Sequence, residues 1–330
     1  MHMADALLSP AVGGTMLAVS VGVLACSIRD IRKNFQESRI PLMGVAGAFV
    51  FAAQMVNFAI PGTGSSGHIG GAVLLAALLG PSPAFLVMAG VLLIQALFFA
   101  DGGLLAWGCN LFNLGFFGCF LAYPYLFRPI AGKEGNRGRI FAASLVACVV
   151  SLELGAFAVT LETLLSGVTE LPFGAFLGVM LPIHLAIGLG EGLATGAVLL
   201  FVRRHLPGAD SLRLEESKSS IARFSLAFGL AALLIGGGLS LLASGDPDGL
   251  EWSLERTAGN AELGNSGAIH SFFASVAEKF ALLPDYALPG SDSPLGTTVA
   301  GIVGALLCAV ILGVCAYVIL RKTARRGAAK

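Results

Sequence analysis

Residues 173–202 read FGAFLGVMLPIHLAIGLGEGLATGAVLLFV, a run whose only ionisable side chains are His184 and Glu191. A helix rises 1.5 Å per residue, so about 20 such residues cross a hydrocarbon core of ~30 Å. Working outward, further apolar runs lie at 11–28, 41–59, 69–80, 84–100, 104–127, 140–165, 224–243 and 297–320. The run 69–80 is short and Pro81-Ser-Pro83 ends it, so it reads as a half-span in a hairpin with 84–100. Composition agrees: 56% of the 330 residues are hydrophobic and 12% charged, against about 25% charged in an average soluble domain. Mean hydropathy is +0.84. Disorder is excluded by the apolar content, collagen by the lack of a G-X-Y period, and a nucleic-acid binder is disfavoured by a net charge of zero with no basic face. The fold class is an all-α polytopic membrane protein with nine helices.

Charge sets the sidedness. Eighteen of the twenty basic residues fall into four groups, Arg29–Arg39, Arg128–Arg139, Arg203–Arg223 and Arg321–Lys330, and nine spans put all four groups on one side. The positive-inside rule makes that side cytoplasmic, so the N-terminus lies outside and the C-terminus inside. Residues 1–202 form a seven-helix module and 203–223 a cytoplasmic basic linker. Residues 224–330 form a second module of two helices around an external loop, 245–295. That loop carries eight acids against Arg256 and Lys279, and reads first as a solvated Gly/Ser/Asp-rich segment. Cys26, Cys109, Cys119, Cys148, Cys308 and Cys315 stand alone in apolar runs and read as small buried residues. No basic residue precedes the first apolar run, so no cleavable signal peptide is expected.

Polar groups inside a membrane are expensive, and each prompts a functional question. Glu153 and Glu162 share one span; His184 and Glu191 share the next, two turns apart on one face. They form either an ion relay or, more simply, polar pairs holding helices together. His205 and His270 fall in loops and read as solvated. His2 and His68 are both placed outside, His68 closing the stretch Pro61-Gly-Thr-Gly-Ser-Ser-Gly-His68. A terminal amine at Met1, the amide nitrogen of His2 and its imidazole Nδ1 form fused five- and six-membered chelate rings. The second imidazole supplies a fourth nitrogen. Such tetragonal nitrogen sites suit Cu(II) and Ni(II), with Co(II) possible. A competing reading takes Gly64-Ser-Ser66-Gly67 as the G-x-S-G of an intramembrane serine protease, with Ser66 as nucleophile and His184 as base. It leaves His2 and the acidic loop unexplained and ranks below transport.

The segments Met1-His2-Met3-Ala-Asp5, Gly62-Thr-Gly-Ser-Ser-Gly-His68-Ile-Gly-Gly71, Leu78-Leu-Gly-Pro81, Val91 through Gly103 and Asn110-Leu-Phe-Asn113 together resemble the CbiM/NikM family. These are cobalt/nickel-specific substrate-binding (S) components of energy-coupling factor (ECF) transporters, which are ABC-type importers. Pro247-Asp-Gly-Leu-Glu251 and Leu283-Pro-Asp-Tyr-Ala-Leu-Pro-Gly290 resemble the PDGLE accessory domain, here fused behind it. The resemblance implies Ni(II) or Co(II) as transported ligand, bound by Met1, His2 and His68, with no cofactor and no catalytic residue. Ser66, Gln95, Asn110, Asn113 and His184 are candidates for orienting the ligands. It also implies a multi-pass protein of a bacterial or archaeal cell (inner) membrane. A transmembrane coupling subunit and ATPase subunits would be separate chains, and this sequence has no phosphate-binding G-x-x-x-x-G-K-[ST] loop. The second module is expected to be needed for transport while supplying no metal ligand. Met3-Ala-Asp5 departs from the Ile-Pro-Asp or Ile-Met-Glu of many relatives.

Overall fold

A computed structural model describes residues 1–34, 40–132, 136–205, 218–260, 264, 267–291 and 293–327. Most of the expected linker 203–223, together with Arg39, Lys133, Glu262, Asp292 and Lys330, lies outside the described residues. The chain is mainly helical: α1 Pro10–Asn34, α2 Ile40–Gln54, α3 Ala72–Leu79 and α4 Pro81–Phe98; α5 Trp107–Ala131; then α6 Arg137–Ser166, α7 Phe173–His205, α8 Lys218–Gly237, α9 Gly249–Ala258, α10 Ala268–Phe280 and α11 Leu295–Gly327. The turns of α5 widen into π geometry over Leu111–Phe127. Six helices (α1, α4, α5, α6, α7 and α11) are long and apolar enough to cross a membrane, while α2 and the apolar part of α8 are shorter. The half-span expected at 69–80 is α3, eight residues buried throughout.

Two departures from an all-α reading bear on function. The run 41–59 does not continue as one helix. It stops at Gln54, and Phe58–Ile60 pairs antiparallel with Ser65–Gly67, Phe58 opposite Gly67 and Ile60 opposite Ser65. Pro61 supplies no N–H, and Gly62 and Gly64 take φ of +78° and +74°, the left-handed backbone that a tight reversal needs. The external loop, in turn, is not merely solvated. It contains α9, whose N-cap Asp248 and N3 residue Glu251 form a reciprocal capping box, and α10. His270 on α10 is buried rather than solvated, because its Nε2 donates to the Leu8 carbonyl at 2.8 Å.

Small residues set the packing. Gly188, Gly192 and Gly196 recur every fourth residue on α7 and lie against α6; a Cβ at Gly192 would stand 2.6 Å from the Leu145 Cα. Without a hydrophobic drive between helices in lipid, such close approach supplies the association energy. The second module docks the same way: a Cβ at Gly44 of α2 would meet the Ala309 carbonyl of α11 at 2.5 Å, and Gly301 of α11 faces Gly236 of α8 backbone to backbone. Gly192→Leu is expected to force α6 and α7 apart at a cost of about 1–3 kcal/mol, read as a lower unfolding midpoint of the detergent-purified protein.

Candidate metal centre

The first residues tuck into the bundle. Asn110 grips Met3 from both sides, its Oδ1 accepting the Met3 N–H at 2.7 Å and its Nδ2 donating to the Met3 carbonyl at 3.1 Å. The Gly103 N–H adds a bond to the same carbonyl at 2.9 Å. Asp5 accepts the Ala106 N–H at 2.8 Å. The Met1 side chain reaches α6, where a Cβ at Gly155 would stand 2.8 Å from its Cε. Met1 and Met3 are consequently buried.

His68 follows the second strand directly. Its Nδ1 donates to the Ile69 carbonyl at 3.0 Å. A carbonyl only accepts, so the proton is on Nδ1 and the lone pair on Nε2, which faces the Met1 amine at 3.4 Å. The backbone behind it is pinned by Glu191, whose two carboxylate oxygens accept the Gly70 and Gly71 N–H groups at 2.9 and 2.8 Å. Gln54 donates to the Gly70 carbonyl at 2.9 Å, and Gln95 in turn donates to Gln54 at 2.9 Å.

The His2 ring stacks on His68, with centroids 5.1 Å apart and planes 13° from parallel. Its Nδ1 donates to Asp101 Oδ1 at 3.1 Å, and its Nε2 is buried with no hydrogen-bond partner. The Tyr286 hydroxyl donates to the other Asp101 oxygen at 2.5 Å. The amine itself donates to Asp248 Oδ2 at 2.7 Å. Two imidazoles and a terminal amine therefore converge between two carboxylates.

Burial pushes the His68 imidazole from an ordinary 6.5 down to about 3, with the nearby amine and His2 adding to the effect. Burial alone would raise Asp101 and Asp248; His2 and the Tyr286 hydroxyl on one, the amine and His68 on the other, hold both well below the usual carboxylate range. His68 thus stays neutral across ordinary pH. The linkage sign follows: below about 6.5 the unfolded chain takes up a proton that folded His68 refuses, so stability falls as pH falls. The two depressed carboxylates add losses only below their ordinary 3.8. The unfolding midpoint of the metal-free protein is expected to drop between pH 6.5 and 4, and His68→Ala to reduce that slope.

The residues anticipated as orienters have other partners. Ser66 donates to the Asp246 carbonyl at 2.7 Å, Gln95 to Gln54, Asn110 holds the Met3 backbone, and Asn113 donates to Glu162 at 2.7 Å and touches the Met3 sulfur at 3.8 Å. The imidazoles are oriented instead by Asp101 and the Ile69 carbonyl. Asp101 was visible in the sequence, inside the 91–103 segment, but carried no periodic signal. His184 donates from Nδ1 to the Met180 carbonyl at 2.8 Å. Together with Met1, His68 and Asp248 it lines a small enclosed cavity. Glu162, Glu191 and His184 make no hydrogen bond to one another among the described residues: Glu162 accepts from Asn113, Glu191 from the Gly70 and Gly71 N–H groups, and His184 donates to the Met180 carbonyl. Ser66 and His184 are likewise not bonded to each other, and no nucleophile–base pair forms among the described residues. Nor do three His, Cys, Asp or Glu side chains gather as a metal cage there.

Residues 2–209 match the family described as the cobalt uptake substrate-specific transmembrane region (CbiM), and residues 222–321 match the PDGLE domain. The chain is 34% identical to a putative fused nickel transport protein NikMN of Archaeoglobus fulgidus, over 93% of this chain and 95% of that one. It is 30% identical to the fused nickel transport protein NikMN of Rhodobacter capsulatus, over 99% of each. A cobalt transport protein CbiM of Sorangium cellulosum is 32% identical over 63% of this chain and 93% of that one. Among solved structures, a crystal structure of a transition metal transporter superposes with a TM-score of 0.55 at 30% identity, covering 62% of this chain and 93% of the other. With the amine and the two histidines gathered as described, and with these relatives alongside it, the chain belongs to the CbiM family of cobalt uptake substrate-specific transmembrane proteins and carries a fused PDGLE domain.

Proposed function

We propose that this protein captures Ni(II) or Co(II) at the outer face of a bacterial or archaeal cell membrane. It serves as the substrate-binding component of an ECF-type importer whose coupling subunit and ATPases are separate chains. The observation that carries the reading is the placement of the Met1 amine 3.4 Å from His68 Nε2, beneath the stacked His2 ring. Two nitrogens bound at right angles to one metal at ~2.0–2.1 Å lie about 2.9 Å apart, so a small inward shift of His68 brings both into one coordination plane. For Nδ1 to close the six-membered chelate, the His2 ring would have to turn about Cβ–Cγ and give up its bond to Asp101, leaving Nε2 as the N–H donor for a nearby acceptor, as is usual for ligating imidazoles.

Metal analysis of the purified protein, with the two ions in competition, tests this: one ion per chain is expected, and His68→Ala should lose it. Binding displaces protons from the amine, an amide and an imidazole, so affinity should fall steadily as pH is lowered. A chain that carries no nickel or cobalt when supplied with both overturns the reading. The arrangement of seven plus two helices, with the amine and residues 245–295 outside, is supported by the basic residues on the opposite side. Cysteines placed at Ser9 and Ser291 should react with an impermeant reagent from outside, and one at Ser217 should not.

A further inference from the structure

The C-terminal module touches both halves of the proposed chelate, each through one side chain. On one side Asp248 Oδ2 takes the Met1 amine at 2.7 Å. Asp248 has no freedom to do otherwise, since its Oδ1 caps α9 by accepting the Leu250 and Glu251 N–H groups at 2.8 and 2.9 Å. Its neighbours are seated on the strand that leads into His68: the Ser66 N–H donates to the Pro247 carbonyl at 2.8 Å and the Trp252 indole to the Thr63 carbonyl at 3.1 Å. On the other side the Tyr286 hydroxyl holds Asp101, which holds His2. Tyr286 is itself fixed, with its ring stacked on Phe99 at 5.0 Å and the preceding Leu282, Leu283 and Asp285 N–H groups bonded to the Phe98 and Phe99 carbonyls.

We propose that the C-terminal module is the clamp of the metal site, with Asp248 and Tyr286 as its two positioning residues. Asp248 orients the amine and Tyr286, through Asp101, orients the His2 imidazole. A coordinated amine keeps N–H groups to donate, so the bond to Asp248 serves the loaded site as well as the empty one. Neither residue need touch the ion. The clamp makes retention of the metal depend on the contacts of the second module. This rests on the reading that the amine and the two histidines bind the metal.

The test uses the full-length protein loaded with Ni(II). Asp248→Asn keeps a cap oxygen for α9 and removes the charge; Tyr286→Phe removes only a hydroxyl and guards against a misfolded first variant; Glu255→Gln, exposed on α9, is the control. Release of nickel to an excess of chelator and the ligand-field absorption band are measured together. Outer partners of ligands are worth about 10–100-fold in metal affinity. Each clamp variant is therefore expected to release nickel about tenfold faster or more, with a displaced band, and the control to match the parent. A purely structural role would lower occupancy without moving the band, and that result overturns the proposal. So does release within twofold of the parent in both variants, which leaves metal capture itself standing. A parent chain that binds no nickel overturns the capture reading and the clamp with it.

Discussion

A single residue added ahead of Met1 is expected to abolish stoichiometric nickel and cobalt binding in an otherwise folded protein. The addition turns the amine into an ordinary amide and moves His2 out of its chelate ring, so two donors are lost through a change that alters no side chain. Outer partners of ligands already account for about 10–100-fold, and loss of donors exceeds that range. The Met1 amine is also held by Asp248 at 2.7 Å and faces His68 at 3.4 Å, and an added residue would break both contacts. His2→Ala and His68→Ala should each be comparably damaging while leaving the terminus intact. Equilibrium binding of both ions, with unfolding midpoints as the control for fold, compares the three proteins. Unchanged binding by the extended chain would leave the histidines as an ordinary imidazole pair.

Glu191→Ala is expected to be the most destabilising single substitution near the site. It strands the Gly70 and Gly71 N–H groups, which are buried and donate to its carboxylate. Each unsatisfied buried donor costs about 1–3 kcal/mol, so a total on the order of 2–6 kcal/mol should appear as a large drop in unfolding midpoint. Metal affinity should fall in parallel, because these two peptide groups fix the backbone from which His68 projects. Glu191→Gln keeps one acceptor oxygen but turns an amide N–H₂ toward the second backbone donor, and should fall between. Stability and affinity that decline together would separate this positioning role from a proton relay, which would spare both.

The spans were legible because bilayer thickness imposes a length that composition alone reveals; α4, α6 and α7 lie where the runs 84–100, 140–165 and 173–202 placed them. Met1, His2 and His68, the residues that donor chemistry singled out, do lie together. What surrounds them was hidden for a physical reason. Asp101 and Asp248 are single carboxylates in glycine-rich turns, where neither a helical nor a strand period marks a side chain as inward. Their role depends on contacts across 99 residues to His2 and 247 residues to Met1, respectively. The β-hairpin at 58–67 was masked by the apolar stretch that precedes it. His270 was misjudged because loop residues are read as wet, whereas here the loop folds into helices and closes over Leu8.

Glu191 gives α7 a mechanical meaning. The helix carries one interior proline, Pro182, and runs from there through Glu191 to His205 without another; the peptide groups behind His68 hang from it by one carboxylate. From Glu191 to the His205 end is about 21 Å at 1.5 Å per residue, so a tilt of about 5° about that end displaces the carboxylate by roughly 2 Å. Helix shifts of ~1–2 Å are the ordinary currency of switching proteins. With α6 packed against it through Gly188, Gly192 and Gly196, α7 has the geometry of a lever arm. A displacement imposed at its basic end would be carried through Glu191 to the Gly70 and Gly71 peptide groups that follow His68.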